Sequence, residues 1–399
     1  MNNYFLIAKI TLALVAFAHL LATAPIIIFL ATIVFMVTGI AFLKLKHSAM
    51  GNSYQIQKQD HRPVDANYNP AKAPYSAELL KIIELLASFN LTPKHKQTIE
   101  GLSVITYIFE MPPGIAYQRI KSLEGTIGMH FVEGIQIQKT HASFAVQVAK
   151  TLNKRTFIPL EKLIALANEQ CKGMSMPLYI GVDVYNNPLV ADLADLHHLL
   201  IAGSSGGGKS VLLNCLIEGL LRKTKGIQIN IIDPKKVEFG KFAHRANVVT
   251  EIEPIIELLG EIVAEMNNRY LAMKAINVAN IAQYNKHNSN AALTPIVTII
   301  DEFAELTSMK KEATDIIDKI ARLGRAAGVH LICATQRPTV SVITGNIKAN
   351  MSRIALKCQT AVDSQTILGS KGAETLTGKG DLLFKHEDTF VRAQSAYLP

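Results

Sequence analysis

The stretch Gly203-Ser204-Ser205-Gly206-Gly207-Gly208-Lys209-Ser210 decides how the rest of this chain is read. It fits the pattern G-x-x-x-x-G-K-[ST]. The apolar segment His198 to Ala202 before it reads as a strand, and Val211 to Leu221 after it carries apolar residues at helical spacing. Strand, glycine-rich turn and helix in that order aim several backbone N–H groups and a helix N-terminus at one place, which suits a polyphosphate. Glycines at 206, 207 and 208 permit the backbone angles and the close approach, and Gly203, Ser204 and Ser205 complete the loop. Lys209 is expected to reach the β- and γ-phosphates, and the Ser210 hydroxyl to ligate Mg²⁺.

Outward from this loop, short apolar strands alternate with helices, the signature of a parallel sheet. The strands expected are Leu199 to Ala202, Ile227 to Ile232, Ile296 to Ile300, His330 to Ala334 and Arg353 to Cys358, with a late one at Gly380 to Phe384. Ligands collect outside the carboxyl ends of such strands. Pro295-Ile-Val-Thr-Ile-Ile-Asp301-Glu302 ends in two acids at that edge, 92 residues after Lys209. Asp301 is therefore expected to hold Mg²⁺ through water, and Glu302 to orient or deprotonate the attacking water. Val329-His-Leu-Ile-Cys-Ala-Thr335-Gln336 ends at the same edge, and Gln336 is the candidate to sense the γ-phosphate or that water. His197, His198 and His330 lack a partner cluster and read as packed side chains.

The 399 residues are 49% hydrophobic and 18% charged, which excludes a disordered chain and leaves room for two or three domains. Lys plus Arg exceeds Asp plus Glu by 41 to 32, a formal charge of +9. That surplus fits a nucleic-acid or membrane partner, and equally an ordinary basic protein. Four scattered cysteines without a C-x-x-C pair indicate neither a disulfide scaffold nor a zinc site.

Hydrophobicity is concentrated at the start. Between Tyr4 and Leu43, 32 of 40 residues are apolar and Lys9 is the sole formal charge. One membrane-spanning helix needs roughly 20 such residues, so two are expected, Tyr4 to Leu21 and Ile26 to Leu43, with Pro25 at the break. Lys44, Lys46 and His47 then mark the cytoplasmic side. A cleaved signal peptide fits less well, because the run is too long and Met-Asn-Asn carries no charge. The organisation expected is a transmembrane segment over 1–46, a polar linker over 47–74, a small α+β domain over 75–174 and an α/β ATPase domain with the phosphate loop over 175–399. Within the small domain, helices are expected at Ala77 to Phe89 and Ile115 to Gly128, and strands at Val104 to Glu110 and from Ile135.

Several motifs together resemble the FtsK/SpoIIIE family of DNA translocases. They are His198-Leu-Leu-Ile-Ala-Gly, the phosphate loop, Ile232-Asp233-Pro234-Lys235, Asp301-Glu302-Phe303-Ala304, Arg325-Ala-Ala-Gly-Val-His, Ala334-Thr-Gln-Arg-Pro338, Val342-Ile-Thr-Gly345, Ile347-Lys-Ala-Asn350 and Gly380-Asp381. Ser103-Val-Ile-Thr-Tyr107 with Pro113-Gly114 resembles that family's small domain, so the likeness covers roughly residues 75 to 399. It implies a RecA-like motor domain, ATP with Mg²⁺, hydrolysis stimulated by double-stranded DNA, and a hexameric ring around that DNA. It further implies an arginine donated in trans, for which Arg325 is the first candidate and Arg353 the second. Lys235, Lys236, Arg337 and Lys348 become candidates to face the pore. A membrane-anchored motor at the cell's inner membrane is the resulting expectation, without the winged-helix domain of chromosomal members. Chromosome segregation and conjugative or mobile-element transfer both fit, and a protein-export ATPase is the alternative from another class. Gly207 stands where serine is common in the family. Gln365 and Gly369 replace a usual arginine and aspartate.

Overall fold

The computed structural model describes residues 76–399 apart from 141, 237, 341, 344 and 388. The expected transmembrane hairpin and the whole of the expected linker lie outside the described residues. Among the described residues, no helix is long and apolar enough to cross a membrane.

The first part is a four-stranded antiparallel sheet with helices on one face. Its strands are β1 (His95–Glu100), β2 (Val104–Glu110), β3 (Ile135–Thr140) and β4 (Ser143–Ala149), in the order β1-β2-β4-β3. The helix Ala77–Ser88 is capped by the Ser76 hydroxyl, which accepts from the Leu79 N–H, and it buries Leu79, Ile82 and Leu86. These side chains join Tyr107, Phe109, Phe144 and Val146 of the sheet in one core. The single helix expected over Ile115 to Gly128 is two, Tyr117–Ser122 and Glu124–Gly128. Gly125 and Gly128 favour helix weakly. The Glu124 carboxylate also turns to accept from the Ile137 N–H at 2.5 Å and so ties the second helix to β3.

The second part is a ten-stranded sheet. Its strands are β5 (Pro177–Asp183), β6 (Pro188–Asp192), β7 (Leu199–Ala202), β8 (Gln228–Ile232), β9 (Asn247–Val249), β10 (Ile296–Ile300), β11 (Val329–Thr335), β12 (Ser352–Leu356), β13 (Asp381–His386) and β14 (Thr389–Ser395). They lie in the order β6-β5-β14-β13-β12-β7-β11-β10-β8-β9. From β12 to β9 every pairing is parallel, and the strands from β13 to β6 add antiparallel pairings at the other edge. The parallel strands β7, β10 and β11 are buried at every position, as strands covered on both faces must be. Helix Leu160–Leu166 packs its Leu160 and Leu163 with Tyr179 of β5 and Cys215, so residues around 160 share a core with the large sheet.

Register places the functional edge. Ile300 of β10 stands opposite Ile232 of β8 and Cys333 of β11, and Ala202 of β7 stands opposite Thr335 of β11 and Ala355 of β12. The loops leaving β7, β8, β10 and β11 therefore emerge side by side.

Candidate functional site

The phosphate loop leaves β7 and enters helix Lys209–Lys223 directly, with Gly208 as its N-cap residue. Gly208 has φ +107°, and a Cβ there would lie 2.6 Å from the Gly380 nitrogen, so only glycine fits. At Gly203 a Cβ would lie 2.7 Å from the Leu356 Cβ. Two neighbouring segments hold the loop. Ser204 donates its N–H and its hydroxyl to the Lys357 carbonyl, each at 2.8 Å, and the Gly380 N–H donates to the Gly207 carbonyl at 2.7 Å. A cavity of about 300 Å³ opens over the loop, lined by Ser204, Ser205, Gly206, Gly208, Lys209, Ser210, Val211, Glu238, Gln336 and Lys379.

Lys209 is buried and points back under the loop. Its Nζ lies 2.8 Å from the Asp301 carbonyl oxygen and 2.5 Å from Asp301 Oδ1. Burial pushes the Asp301 carboxyl up, and the charges of Glu238 and Asp233 push the same way, while Lys209 opposes them.

Glu302 is likewise buried, but three donors surround its carboxylate. Oε1 accepts from the Thr335 hydroxyl at 2.7 Å, and the Gln336 N–H lies 3.1 and 3.2 Å from the two oxygens. Lys235 Nζ lies 3.3 Å from Oε2. The ends of β10 and β11 are thus bonded through this one side chain, and Gln336 carries the connection into the cavity wall.

The two arginines expected to act in trans lie elsewhere. Arg325 is exposed and opens a 3-10 turn just before β11, at the sheet edge opposite the phosphate loop. Arg353 is partly buried at the start of β12 and donates Nη2 to the Lys348 carbonyl of its own chain. Lys235 and Lys236, named for a pore, both pair internally, with Glu302 and Glu251. Gly369 caps helix Ala361–Leu368 at φ +75°, a position that favours glycine, and its carbonyl accepts from Gln365 Nε2 at 2.8 Å. The two family departures therefore fit each other.

Sequence reasoning did not single out Glu238 or Lys379 in the cavity. Neither belongs to a spaced pattern; each arrives on a loop that only the fold brings here. The residues fit a bound divalent cation. Ser210, Asp301 and Glu238 are hard oxygen donors of the kind Mg²⁺ takes, and Glu238 Oε2 is buried with no hydrogen-bond partner among the described residues.

The small sheet reaches the same loops. Gln136 of β3 donates to the Gly372 carbonyl at 2.9 Å, and its Oε1 accepts from Arg392 Nη1 at 3.2 Å. Arg392 pairs with fully buried Asp381 at 2.8 Å, beside Gly380.

The model of the FtsK/SpoIIIE family matches residues 160–340. A protein named DNA translocase FtsK from Chlorobaculum tepidum is 34% identical over 326 residues, which cover 76% of this chain and 40% of that protein. Its namesake from Haemophilus influenzae is 32% identical over 356 residues, covering 80% of this chain and 67% of that protein. The chain spans about 40% of the length of several such relatives. Among solved structures, the pCW3 conjugation coupling protein TcpA, in its monomer form with ATPgS, is similar with TM-score 0.58 and 26% identity, over 80% of this chain and 95% of that one. The cytoplasmic domain of the Type VII secretion ATPase EccC from Thermomonospora curvata is similar with TM-score 0.51 and 26% identity, over 56% of this chain and 29% of that one. Motifs, fold and a relative matched over two-thirds of its length agree, and the chain belongs to the FtsK/SpoIIIE family.

Proposed function

We propose that this protein is an ATP-driven motor that moves double-stranded DNA, working as a hexameric ring anchored by its N-terminal apolar segment at the inner membrane. The observation that carries the reading is the convergence of Lys209, Asp301, Glu302 and Gln336 at one sheet edge beside the glycine-rich loop. The curated relatives' names support DNA as the substrate.

Phosphoryl transfer requires positioning and charge neutralisation more than covalent chemistry. The loop N–H groups and Lys209 bind the β- and γ-phosphates, with Lys209 exchanging its bond to Asp301 for one to phosphate. Mg²⁺, when bound, neutralises charge on the phosphate oxygens, and Ser210 and Asp301 are the residues that would hold it. Glu302 orients the attacking water and accepts its proton. Gln336, whose N–H already touches Glu302, reports the presence of the γ-phosphate to β11. Arg325, exposed at the far sheet edge, is available to a neighbouring subunit's nucleotide, and Arg353 is the second candidate.

A protein-export role is the competing reading, and the likeness to the secretion ATPase supports only the motor part of it. The conjugation coupling protein and the Haemophilus influenzae translocase each match over 80% of this chain, and transfer of DNA between cells and segregation within one are both carried forward as readings. The test is ATP hydrolysis by the purified chain with and without long duplex DNA, across a salt series. DNA stimulation that falls steeply with salt is expected for phosphate-backbone contacts. Stimulation by a secreted polypeptide and not by DNA would reverse the choice.

A further inference from the structure

One carboxylate in the nucleotide cavity comes from neither acidic strand end. Glu238 lies on the loop after β8 and lines the cavity together with Ser210 and Gln336. The loop that carries it is anchored. Its own N–H donates to Asp233 Oδ2 at 3.2 Å, and the Lys236 N–H donates to Asp233 Oδ1 at 3.1 Å. The next residue, Phe239, is fully buried and stacks on Phe242 with ring centroids 6.5 Å apart. Glu238 is therefore held where it is by its backbone. Its Oε2 is nevertheless inaccessible to solvent and has no hydrogen-bond partner among the described residues.

A buried acceptor left without a donor costs about 1–3 kcal/mol, and more when charged. An anionic oxygen facing a polyphosphate would add repulsion. Both penalties vanish if the carboxylate turns into the cavity it lines and meets water carried by a divalent cation, because cation-bound water is a strong donor and the cation offsets the charge. Asp301, which pairs with Lys209, experiences the Glu238 charge, which places the two carboxylates in one electrostatic field.

We propose that Glu238 is a further positioning residue of the nucleotide site, whose carboxylate turns about its side-chain bonds toward the cavity and accepts from the water shell of the Mg²⁺ that enters with the triphosphate. This inference rests on the reading of the cavity as a Mg²⁺–nucleotide site. It assigns the β8 loop a task separate from that of Glu302, which is occupied by Thr335, Gln336 and Lys235.

The experiment uses the full-length chain in detergent with a fluorescent, non-hydrolysable ATP analogue. Nucleotide is titrated in EDTA, and MgCl₂ is titrated at fixed nucleotide. Glu238→Gln is expected to raise the Mg²⁺ midpoint about tenfold, the low end of losses for groups that support a metal through its outer shell. In EDTA the same variant is expected to bind the analogue more tightly than wild type, because a facing negative charge is gone. Glu238→Asp keeps the charge and should fall between the two in Mg²⁺ dependence; it also serves if Glu238→Gln does not fold. An unchanged Mg²⁺ midpoint, or an equal loss of affinity with and without Mg²⁺, would overturn the proposal. Wild type that binds no analogue under either condition would overturn the nucleotide-site reading instead.

Discussion

Lys209 Nζ lies 2.5 Å from Asp301 Oδ1, and both side chains are withdrawn from solvent. The cation expected to bind phosphate is thus neutralised by the acid expected to sit behind the metal. Removing one member leaves a buried charge uncompensated, typically at about 3–5 kcal/mol. Lys209→Met is expected to lower nucleotide-free stability by about that much, and Lys209→Met with Asp301→Asn to recover most of it. Thermal unfolding of the three proteins measures this, and equal losses in the single and double variants would show that the pair is not coupled.

Glu302 tests the hydrolytic role. Glu302→Gln keeps the shape and loses the base, so turnover should fall by about 10²–10⁴ while the nucleotide still binds. Thr335→Val removes the 2.7 Å donor to the same carboxylate. Hydrogen bonds to charged groups are worth about 1.5–3 kcal/mol, so a loss of about tenfold or more is expected. Phosphate release in saturating ATP reads both, and wild-type turnover in Glu302→Gln would reassign the base.

Gly208→Ala tests the loop. The added methyl would meet the Gly380 nitrogen at 2.6 Å in a left-handed backbone. Nucleotide affinity should be lost, as equilibrium binding of a fluorescent analogue would report. Gly206, whose Cβ direction is open, should tolerate alanine better despite its φ of +77°.

Asp381 and Arg392 form a buried pair that also holds Gln136. Burial pushes the Asp381 carboxyl up, but Arg392 and Thr377 outweigh it and hold the group below the ordinary carboxylate range. A carboxyl depressed on folding adds stability that is present above its unfolded value near 3.8 and is lost as pH falls below it. Asp381→Asn should therefore destabilise at pH 7 by about 3–5 kcal/mol and flatten the acid limb below pH 4, as unfolding curves at pH 7 and pH 3.5 would show.

At the opposite sheet edge, His198 is fully buried and accepts the Leu331 N–H on Nδ1 at 2.9 Å. Burial pushes His198 down to about 3 and His197 down to about 4, with neighbouring cationic groups adding to both. Both imidazoles stay neutral in the folded chain and take a proton near pH 6.5 once unfolded. Stability is therefore complete above pH 6.5 and declines as pH falls toward 4, by at most about 1.4 kcal/mol per pH unit for each group. His198→Asn should make that decline shallower between pH 6.5 and 4 in thermal unfolding; an identical slope would remove His198 from the account.

The packed-histidine reading of His198 and His330 shows how far local pattern reaches. His330 sits in a strand of continuous apolar character, and the structure buries it with Nδ1 donating to the His197 carbonyl at 2.7 Å. The helix over Ile115 to Gly128 shows where pattern stops. Its apolar spacing is continuous, yet it is interrupted at Leu123, and Glu124 just beyond accepts from the Ile137 N–H of β3, a contact made across the fold.

The glycine loop, the strand ends carrying Asp301-Glu302 and Thr335-Gln336, and the alternation of strands and helices that implies a parallel sheet were legible in the sequence, because each is written in contiguous residues with a fixed local geometry. Only the tertiary structure decided that Lys209 closes on Asp301, that Glu302 bridges β10 to β11, and that Glu238 and Lys379 enter the cavity. Those outcomes depend on strands and loops far apart in the chain meeting at one edge, and the register of a parallel sheet, set by long-range packing, has no local signature.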